Sequence, residues 1–418
     1  MHRLPLLALA LISFSSICAA DWPCWRGPDG LGVSAESPLP IRWSQNDHIA
    51  WRIPLPGKGA SSPVVVGDRV YLTTQTDDTG LHVLAIDRQT GQTLWDREVA
   101  QGKLPAHNLH NMATPTAVAD RDHVWVVFGT GDFACLRRDG TIRWQRNFIK
   151  EFGPLKTNHG YGSSPMLEDG KLYLLCMHQG PSWVLAVDAL SGKDVWKKER
   201  NLEPKDEAQD SYSSPLFLRY RGKTSVVVAG AETVNAYDPA TGEELWSRGG
   251  MKVPHPYGRT IAGLAAGDGT VIAVASGFQN RGYTLALPGD RRGKLTDQDQ
   301  LWTLDKFSPD CPTPLVYQGK VYSIRDDGIA SCVDLKTGQA HWQERLFSAN
   351  VKVSPVAGDG KVYFLNGQGN CFVVNAAPKL DIIATNSLNE ATLSSPAISD
   401  GRIYIRTDKS LWCVSGSR

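Results

Sequence analysis

The sequence lacks an excess of either charge and, beyond residue 20, any long apolar run. It has 44 basic and 43 acidic side chains, and losing Arg3 with the first 20 residues leaves 43 of each. A neutral chain offers no electrostatic footprint for nucleic acid or an anionic membrane. No later segment reaches the roughly 20 apolar residues of a transmembrane helix. We therefore expect no nucleic-acid partner and no transmembrane segment.

Recognisable catalytic and redox motifs are also absent. The eight cysteines include no adjacent pair and no Cys-x-x-Cys motif. There is no Gly-x-Ser-x-Gly elbow, phosphate-binding loop or His-Glu-x-x-His helix. Cys135, Cys332 and Cys413 fall at a repeat position where Ala85 and Ala186 stand elsewhere, so we interpret them as small core residues rather than disulfide partners.

The first 20 residues have the pattern of a secretory signal peptide. His2 and Arg3 precede an apolar stretch over 4–12, and small residues follow at Cys18-Ala19-Ala20. Ile17 does not suit a lipoprotein signal at Cys18. We expect cleavage near Ala20 and export to the periplasm or outside the cell, without a lipid anchor.

What the sequence does contain is an internal repeat of about 50 residues. A Ser-Pro dipeptide, a short apolar strand, a Gly turn, a Val-Tyr strand, an Asp-x-x-Thr-Gly hairpin and a Trp recur in this order. The repeats are placed by Pro63, Pro115, Pro165, Pro215, Leu264, Pro314, Pro355 and Pro396, with spacings of 41 to 52 residues. One four-stranded antiparallel propeller blade has this length.

The repeat predicts an all-β, eight-bladed β-propeller of four-stranded antiparallel blades. The last repeat ends without a fourth strand, whereas residues 49–52 resemble a fourth strand with no preceding ones, so an N-terminal strand should close the ring. Seven blades is the alternative, because the repeat from Pro355 lacks both the Thr-Gly turn and the Trp. We expect the Trp in each fourth strand to pack against the neighbouring blade. The predicted domains are a signal peptide at 1–20, a lead-in at 21–47 lying across the outside of the propeller, and the propeller at 48–418.

The Ser-Pro, Gly-x-Val-Tyr and Ala-x-Asp-x-x-Thr-Gly-x-x-x-Trp pattern resembles the repeat of the pyrroloquinoline quinone (PQQ)-like β-propeller family. That superfamily includes quinoprotein alcohol dehydrogenases and the noncatalytic propeller lipoprotein of the β-barrel assembly machinery. The segments Trp22 to Pro28, Asn158 to Pro165 and Tyr283 to Trp302 are similar to exported bacterial PQQ-like repeat proteins. The resemblance implies the fold, and it leaves the function open because one fold hosts several roles.

A PQQ-dependent oxidoreductase is the alternative that the resemblance raises. Such an enzyme needs a flat quinone pocket, a Ca²⁺ held by carboxylate and amide oxygens, and a carboxylate base. The adjacent cysteines of the alcohol dehydrogenases are missing here, and most Asp residues are committed to turns. We therefore expect no cofactor, with PQQ and Ca²⁺ as the alternative.

The best candidate for a ligand site is the mouth of the central channel, where the residues before each Ser-Pro converge. We expect a small polar ligand or a peptide there, although a wet channel mouth is polar without any ligand. A metal site built from His107 and His110 with His159 or His255 is disfavoured, since nearby cysteines or carboxylates at ligand spacing are missing. The candidate binding residues are His107, His110, Asn111, Asn158, His159, Tyr161, Asp210, Tyr212, His255, Tyr257, Arg259, Asp310 and Lys352.

The sequence thus predicts a monomeric, noncatalytic binding or scaffolding propeller of the cell envelope, with an unidentified protein or small-molecule partner. A polysaccharide-binding or lyase-like propeller stays open. Arg259 is singled out because the repeat at Leu264 has lost its Ser-Pro yet keeps polar residues at the corresponding entrance.

Overall fold

The computed structural model describes residues 21–204, 206–253, 258–275, 282–305, 308–348 and 350–416, so the expected signal peptide lies outside the described residues. The described residues form eight sheets, each with four antiparallel strands, and one sheet has a fifth, parallel strand. Helix is limited to one five-residue α-helix and two 3₁₀ turns within these residues. The predicted eight-bladed, all-β propeller is confirmed.

Blades one to four hold four strands each, and the chain runs through them in order from the innermost strand outwards. Blade one contains β2 (Val64–Val66), β3 (Arg69–Thr76), β4 (Gly80–Asp87) and β5 (Thr93–Gln101); blade two β6 (Val118–Ala119), β7 (His123–Val127), β8 (Asp132–Arg137) and β9 (Ile142–Asn147); blade three β10 (Met166–Glu168), β11 (Lys171–Cys176), β12 (Trp183–Asp188) and β13 (Asp194–Glu199); blade four β14 (Leu216–Tyr220), β15 (Lys223–Gly230), β16 (Thr233–Tyr237) and β17 (Glu244–Arg248).

The second half of the ring follows the same plan, with one added strand and one strand from the N-terminus. Blade five contains β18 (Ala265–Gly267), β19 (Thr270–Ala275), β20 (Tyr283–Pro288) and β22 (Trp302–Asp305); blade six contains β23 (Leu315–Tyr317), β24 (Lys320–Ile324), β25 (Ile329–Asp334) and β26 (Ala340–Arg345); blade seven contains β27 (Val356–Gly358), β28 (Lys361–Leu365), β29 (Asn370–Asn375) and β30 (Ile382–Ser387); and blade eight contains β31 (Ala397–Ser399), β32 (Arg402–Arg406), β33 (Ser410–Ser415) and β1 (Ile49–Pro54). The added strand, β21 (Gly293–Leu295), pairs in parallel with β17 of blade four. The helical segments are α1 (Phe148–Phe152), η1 (Pro28–Gly30) and η2 (Asp206–Gln209).

The ring closes where the sequence predicts. β1 pairs antiparallel with β33, with Arg52 opposite Trp412 and Ile53 opposite Leu411. Arg406, which is fully buried, donates from Nη1 to Ser61 Oγ and to the Thr73 carbonyl, both at 2.6 Å, and so joins blade eight to blade one. The pairing of β1 covers the outer edge of β33, which would otherwise be unpaired.

The Ser-Pro motif joins neighbouring blades of the ring through hydrogen bonds. At six of the eight junctions between the described blades, the hydroxyl of the Ser or Thr two residues before the first strand accepts a hydrogen bond from the backbone N–H at the same position of the preceding blade. This contact occurs from Ser62 to Thr116, Thr116 to Ser164, Ser164 to Ser214, Gly263 to Thr313, Thr313 to Ser354 and Ser354 to Ser395, at 2.7 to 3.2 Å. The motif is therefore a belt that ties adjacent blades around the axis.

The position of Thr116 in this belt shows that the repeat of blade two was placed two residues too early in the sequence. Placing that repeat by Pro115 is wrong, because Thr116 fills the belt position and β6 begins two residues later at Val118. In the other blades the first strand follows the Pro position immediately. Ala117 is therefore the true counterpart of Pro63, and Pro115 lies outside the repeat pattern.

The repeated Trp residues pack between blades as expected. Trp144 Nε1 donates to the Ala189 carbonyl at 2.8 Å, in the turn of the next blade. A Cβ on Gly192, in that turn and at φ +70°, would lie 2.7 Å from the Trp144 ring. Trp51, Trp95, Trp196, Trp246, Trp302 and Trp342 donate in the same way. The Gly of each Thr-Gly is thus required both by its backbone conformation and by the ring beneath it.

The lead-in was expected across the outside of the propeller, but its first part lies in the channel. Trp22 pairs with Val65 of β2, and Val33 pairs with Ala357 of β27, both on innermost strands. Buried Arg26 donates from Nη1 to the Thr313 carbonyl at 3.0 Å. The apolar Trp22 and the buried guanidinium gain more contacts inside the ring than they would on its surface. The later part of the lead-in does reach the outside: the Trp43 backbone N–H donates to Asn386 Oδ1 and Arg42 Nη2 donates to the Ile383 carbonyl, both on β30, the outermost strand of blade seven.

The lead-in also explains why blade five lacks the Ser-Pro motif. A Cβ on Gly263 would lie 3.0 Å from both the Trp25 ring and Thr313 Oγ1. Glycine is therefore needed there for the lead-in to pass. The missing motif reflects packing of residue 25, and it does not by itself indicate a ligand site.

The cysteines confirm the expectation of small core residues. The seven described ones are free, and Cys135, Cys332 and Cys413 are fully buried opposite Trp125, Tyr322 and Tyr404 in their sheets. Among the described helices, none is long and apolar enough to cross a membrane.

Candidate functional site

Antiparallel blades divide the surface into two faces. The loop face carries the connections between blades and the hairpins between second and third strands. The turn face carries the turns between first and second strands and the Asp-Thr-Gly turns. The residues before each Ser-Pro position lie on the loop face, so the predicted channel mouth is there.

An open cleft of about 490 Å³ lies on the loop face between blades one and two. It is lined by the hairpin at Asp77 and Asp78, by Lys58, and by the connection that carries His107 and His110. Lys103 Nζ lies 2.5 Å from Asp78 Oδ2 within it. His107 is exposed at its edge, and Leu109 beside it is 46% exposed.

A chain of charged side chains continues from this cleft across the channel, and we call it the charged floor. His159 Nε2 lies 2.8 Å from Glu207 Oε1, and Arg259 Nε lies 3.3 Å from the same oxygen. Arg259 Nη2 lies 3.7 Å from Asp310 Oδ2. His107 contacts His159 edge to face, with ring centroids 5.2 Å apart. Residues from blades two to six are thereby linked.

The charged floor is continued by a second group in blades six and seven. Asp326 Oδ2 accepts hydrogen bonds from the backbone N–H of Asp310 at 2.8 Å and of Cys311 at 3.1 Å. Lys352 Nζ lies 2.5 Å from Asp326 Oδ1 and 3.6 Å from Cys311 Sγ. Burial raises the pKa of the Cys311 thiol well above its usual value, and the nearby Asp326 acts in the same direction.

Asp210 is the centre of a separate network between blades three and four. Its Oδ2 accepts from the Tyr212 hydroxyl at 3.1 Å and from Gln179 Nε2 at 3.2 Å, and the backbone N–H of Asn158 lies 3.4 Å away. Burial raises the pKa of Asp210 to about 6, against the effect of these hydrogen bonds. Its Oδ1 is buried and has no hydrogen-bond partner among the described residues.

Three of the predicted residues make contacts inside the protein, although His110 and Asn111 also line the cleft. Tyr161 is 5% exposed and packs on Phe148 at 5.1 Å, so it belongs to the core. His110 packs against Gly160 and Gly162, and burial lowers its pKa to about 4. Asn111 Oδ1 accepts from the Ala113 N–H at 3.0 Å and shapes its own turn. The predicted His255 and Tyr257 lie outside the described residues.

Sequence reasoning missed Glu207 and Asp326, which hold the charged floor together, and Gln179, which belongs to the Asp210 network. Glu207 is 5% exposed in η2, within a long connection that the repeat pattern does not cover. Asp326 lies in a hairpin between second and third strands. Those hairpins share the loop face with the residues before Ser-Pro, which is the signal that could have found it.

The charged floor is suited to joining the connections of neighbouring blades through ion pairs rather than to covalent catalysis. The pKa of Cys311 is raised, whereas a nucleophilic thiol needs a lowered one. The one described group with metal-ligand spacing is Asp310, Cys311 and Asp326, and the Lys352 ammonium lies against it. A bound Ca²⁺ would have to displace that ammonium, and Cys311 is a poor ligand for it. The lining of the cleft, moreover, includes Leu104, Ala106 and Met112 beside charged and amide side chains but no Trp, Tyr or Phe, so these described residues do not fit PQQ with Ca²⁺.

Comparison with known proteins places this geometry in context. The family model described as "Outer membrane protein assembly factor BamB" matches residues 33–154 and 180–417. The chain is 21% identical to outer membrane protein assembly factor BamB of Yersinia pestis, over 53% of this chain and 66% of that protein. It is 26% identical to 1-butanol dehydrogenase (quinone) of Thauera butanivorans, over 40% of this chain and 29% of that protein. It thus spans less than two thirds of either relative.

Solved structures agree on the fold. BamB from Moraxella catarrhalis superposes with a TM-score of 0.64 at 14% identity, covering 88% of this chain and 98% of that one. The quinohemoprotein alcohol dehydrogenase from Comamonas testosteroni gives 0.66 at 13% identity, covering 96% of this chain and 81% of that one. Because the family model covers most of the sequence and the blades carry its repeat, the chain belongs to the PQQ-like β-propeller family of the outer membrane assembly factor BamB.

Proposed function

We propose that this protein is a noncatalytic binding or scaffolding propeller of the cell envelope, and that its partner is a protein segment bound at the loop face. The observation that carries the proposal is the open cleft beside the charged floor. Its position on the surface, between a hairpin and a long connection, leaves it accessible to a protein segment, whereas a small molecule is usually held in a more enclosed pocket. A small polar ligand is the alternative occupant.

The division of exposure supports a binding surface. Glu207, Arg259 and Asp310 have side chains only 5 to 14% exposed, so they fix the floor. Lys58, His107 and Leu109 are exposed above it. Interfaces combine such a preorganised polar base with accessible side chains that make the contacts. The names of the BamB relatives, which are assembly factors of the outer membrane, favour an envelope location and a protein partner.

Site-specific photo-crosslinking tests the proposal. A photoreactive residue at Leu109, on the loop face, should capture a partner protein in envelope extract, while one at Leu190, a 45% exposed turn-face position, should not. A double Lys58→Ala, His107→Ala variant should weaken capture at Leu109. A matched double variant of exposed residues in blade six, Lys336→Ala with His341→Ala, should leave capture unchanged. Equal capture at Leu109 and Leu190 would remove the loop-face assignment.

The competing enzymatic reading has its own test. The purified protein is incubated with PQQ and Ca²⁺ and assayed for dye-linked oxidation of alcohols and sugars. We expect no turnover above a protein-free control. Turnover that a chelator abolishes would overturn the noncatalytic proposal.

A further inference from the structure

The turn face, opposite the charged floor, holds a cavity with a strong positive bias. Its volume is about 350 Å³, and it lies at the junction of blades one and two. Four arginines and two aspartates line it: Arg69, Arg88, Arg121, Arg138, Asp21 and Asp68. The lining therefore carries two more positive than negative charges.

Internal contacts among the described residues leave some donors of Arg88 and Arg69 without an acceptor, although Arg69 Nη1 donates to the Arg138 carbonyl and Arg69 Nε lies 3.8 Å from Asp68 Oδ1. Arg138 Nη2 contacts both oxygens of Asp68, at 2.5 and 2.6 Å, and Arg88 Nη2 lies 3.5 Å from Asp400. Asp21 Oδ1 accepts the Gly67 N–H at 2.9 Å. Arg88 Nε, Arg88 Nη1 and Arg69 Nε are buried and have no hydrogen-bond partner among the described residues. A buried donor without an acceptor destabilises the folded protein.

The repeat itself does not require these side chains. Arg88 and Arg138 follow the third strand at the position whose backbone carbonyl accepts the Trp Nε1 of the preceding blade. Other blades place Ala189, Pro239, Gly289 or Leu335 there and make the same contact. The guanidinium groups are therefore additions to the blade rather than part of its construction.

We propose that this cavity binds a phosphate group, either of a soluble phosphate ester or of a phospholipid headgroup. Guanidinium groups bind phosphate oxygens through paired, charge-assisted hydrogen bonds. Arginines arriving from two blades surround the cavity and suit a tetrahedral oxyanion with several acceptors better than a planar carboxylate. The positive lining, although reduced by the pairing of Arg88 with Asp400, favours an anion such as phosphate. This site is independent of the loop-face proposal.

Isothermal titration calorimetry with glycerol 3-phosphate, in phosphate-free buffer at low salt, tests the site. We expect saturable binding that Arg88→Gln and Arg121→Gln each weaken at least about tenfold. Arg121 is exposed at the tip of its turn, so its replacement leaves the fold intact; thermal melting checks both variants. Arg221→Gln is the matched control, because Arg221 occupies the corresponding turn of blade four and is 73% exposed.

The outcomes separate the possibilities. No saturable binding, equal weakening by Arg221→Gln, or acetate binding as tightly as inorganic phosphate would overturn the proposal. Retention on phosphatidylglycerol but not phosphatidylcholine vesicles, lost in both variants and reversed by glycerol 3-phosphate, would identify a lipid headgroup. Binding of glycerol 3-phosphate without vesicle retention would identify a soluble ester.

Discussion

At the scale of single residues, the same amino acid has different physical roles at the two faces. Asp188, like the Asp of the other blade turns, accepts hydrogen bonds from the turn, and the Ser191 hydroxyl and N–H lower its pKa. Asp210 on the loop face is buried, and its pKa is raised to about 6. Position in the blade, rather than residue type, decides which form of the carboxyl group is favoured.

Asp210 predicts a pH-dependent stability. Its folded pKa lies above the unfolded value, so the folded state binds the proton more tightly, and this stabilising effect is present at pH 4 and is lost as the pH rises through about 6. Asp210→Asn should therefore raise the unfolding free energy at pH 7 by about 1–2 kcal/mol and have little effect at pH 4. Urea denaturation at both pH values measures this. Asp188→Asn should destabilise at pH 7, and a destabilised Asp210→Asn protein at pH 7 would contradict the argument.

Comparing two glycines of blade three distinguishes the cost of a left-handed backbone from the cost of displacing a Trp ring. Gly170 and Gly192 have nearly equal φ values, +69° and +70°, but only Gly192 has a neighbour within 4 Å, the Trp144 ring at 2.7 Å. Gly170→Ala should cost about 1 kcal/mol of unfolding free energy, from the left-handed backbone alone. Gly192→Ala should cost about 3 kcal/mol, because the Trp must also move. Chemical denaturation compares them, and equal costs would mean that the Trp contact is weak.

At the scale of elements, the Ser and Thr hydroxyl belt and the lead-in compete for one position. Gly263 interrupts the belt, and Trp25 lies where a side chain would be. The lead-in thus stabilises the channel at the expense of one inter-blade side-chain hydrogen bond.

This competition predicts that Gly263→Ser changes the unfolding free energy in opposite directions in the wild-type chain and in a Trp25→Ala variant. Gly263→Ser should destabilise the wild-type chain by about 1 kcal/mol, because the new side chain crowds Trp25. In a Trp25→Ala background the same change should stabilise by about 1 kcal/mol, because the added hydroxyl completes the belt. A double-mutant cycle by urea denaturation measures the coupling. Effects of the same sign in both backgrounds would refute the competition.

At the scale of the whole molecule, stability depends on joining the two ends of the chain. β1 supplies the fourth strand of blade eight, so separation of β1 from β33 would open the ring and expose both blade faces. The pairing of Ile49 with Val414 joins positions 365 residues apart. Such a contact carries a large loop-closure entropy.

A cross-link at this seam tests its importance. An Ile49→Cys, Val414→Cys disulfide should raise the unfolding free energy by about 2–4 kcal/mol over the same protein when reduced. The native cysteines nearby are buried and should not interfere. Differential scanning calorimetry of the two forms gives the comparison. Identical transitions would mean that the seam stays closed in the unfolding step that limits stability.

The sequence alone determined the blade count, the order of strands, the closing strand and the inter-blade role of each Trp. These features follow from local periodicity and turn chemistry, which neighbouring residues encode and each repeat restates. Cys135, Cys332 and Cys413 were identified as core residues for the same reason.

Only the tertiary structure decided the path of the lead-in, the register of blade two, the reason for Gly263, the charged floor and the arginine cavity. Each of these depends on side chains from different blades that meet only when the ring closes. Glu207 and Arg259 are 52 positions apart, and no local pattern signals that their charges will share a buried space. Residue spacing reveals what a blade is made of, whereas electrostatic and packing partners between blades are set by the geometry of the closed ring.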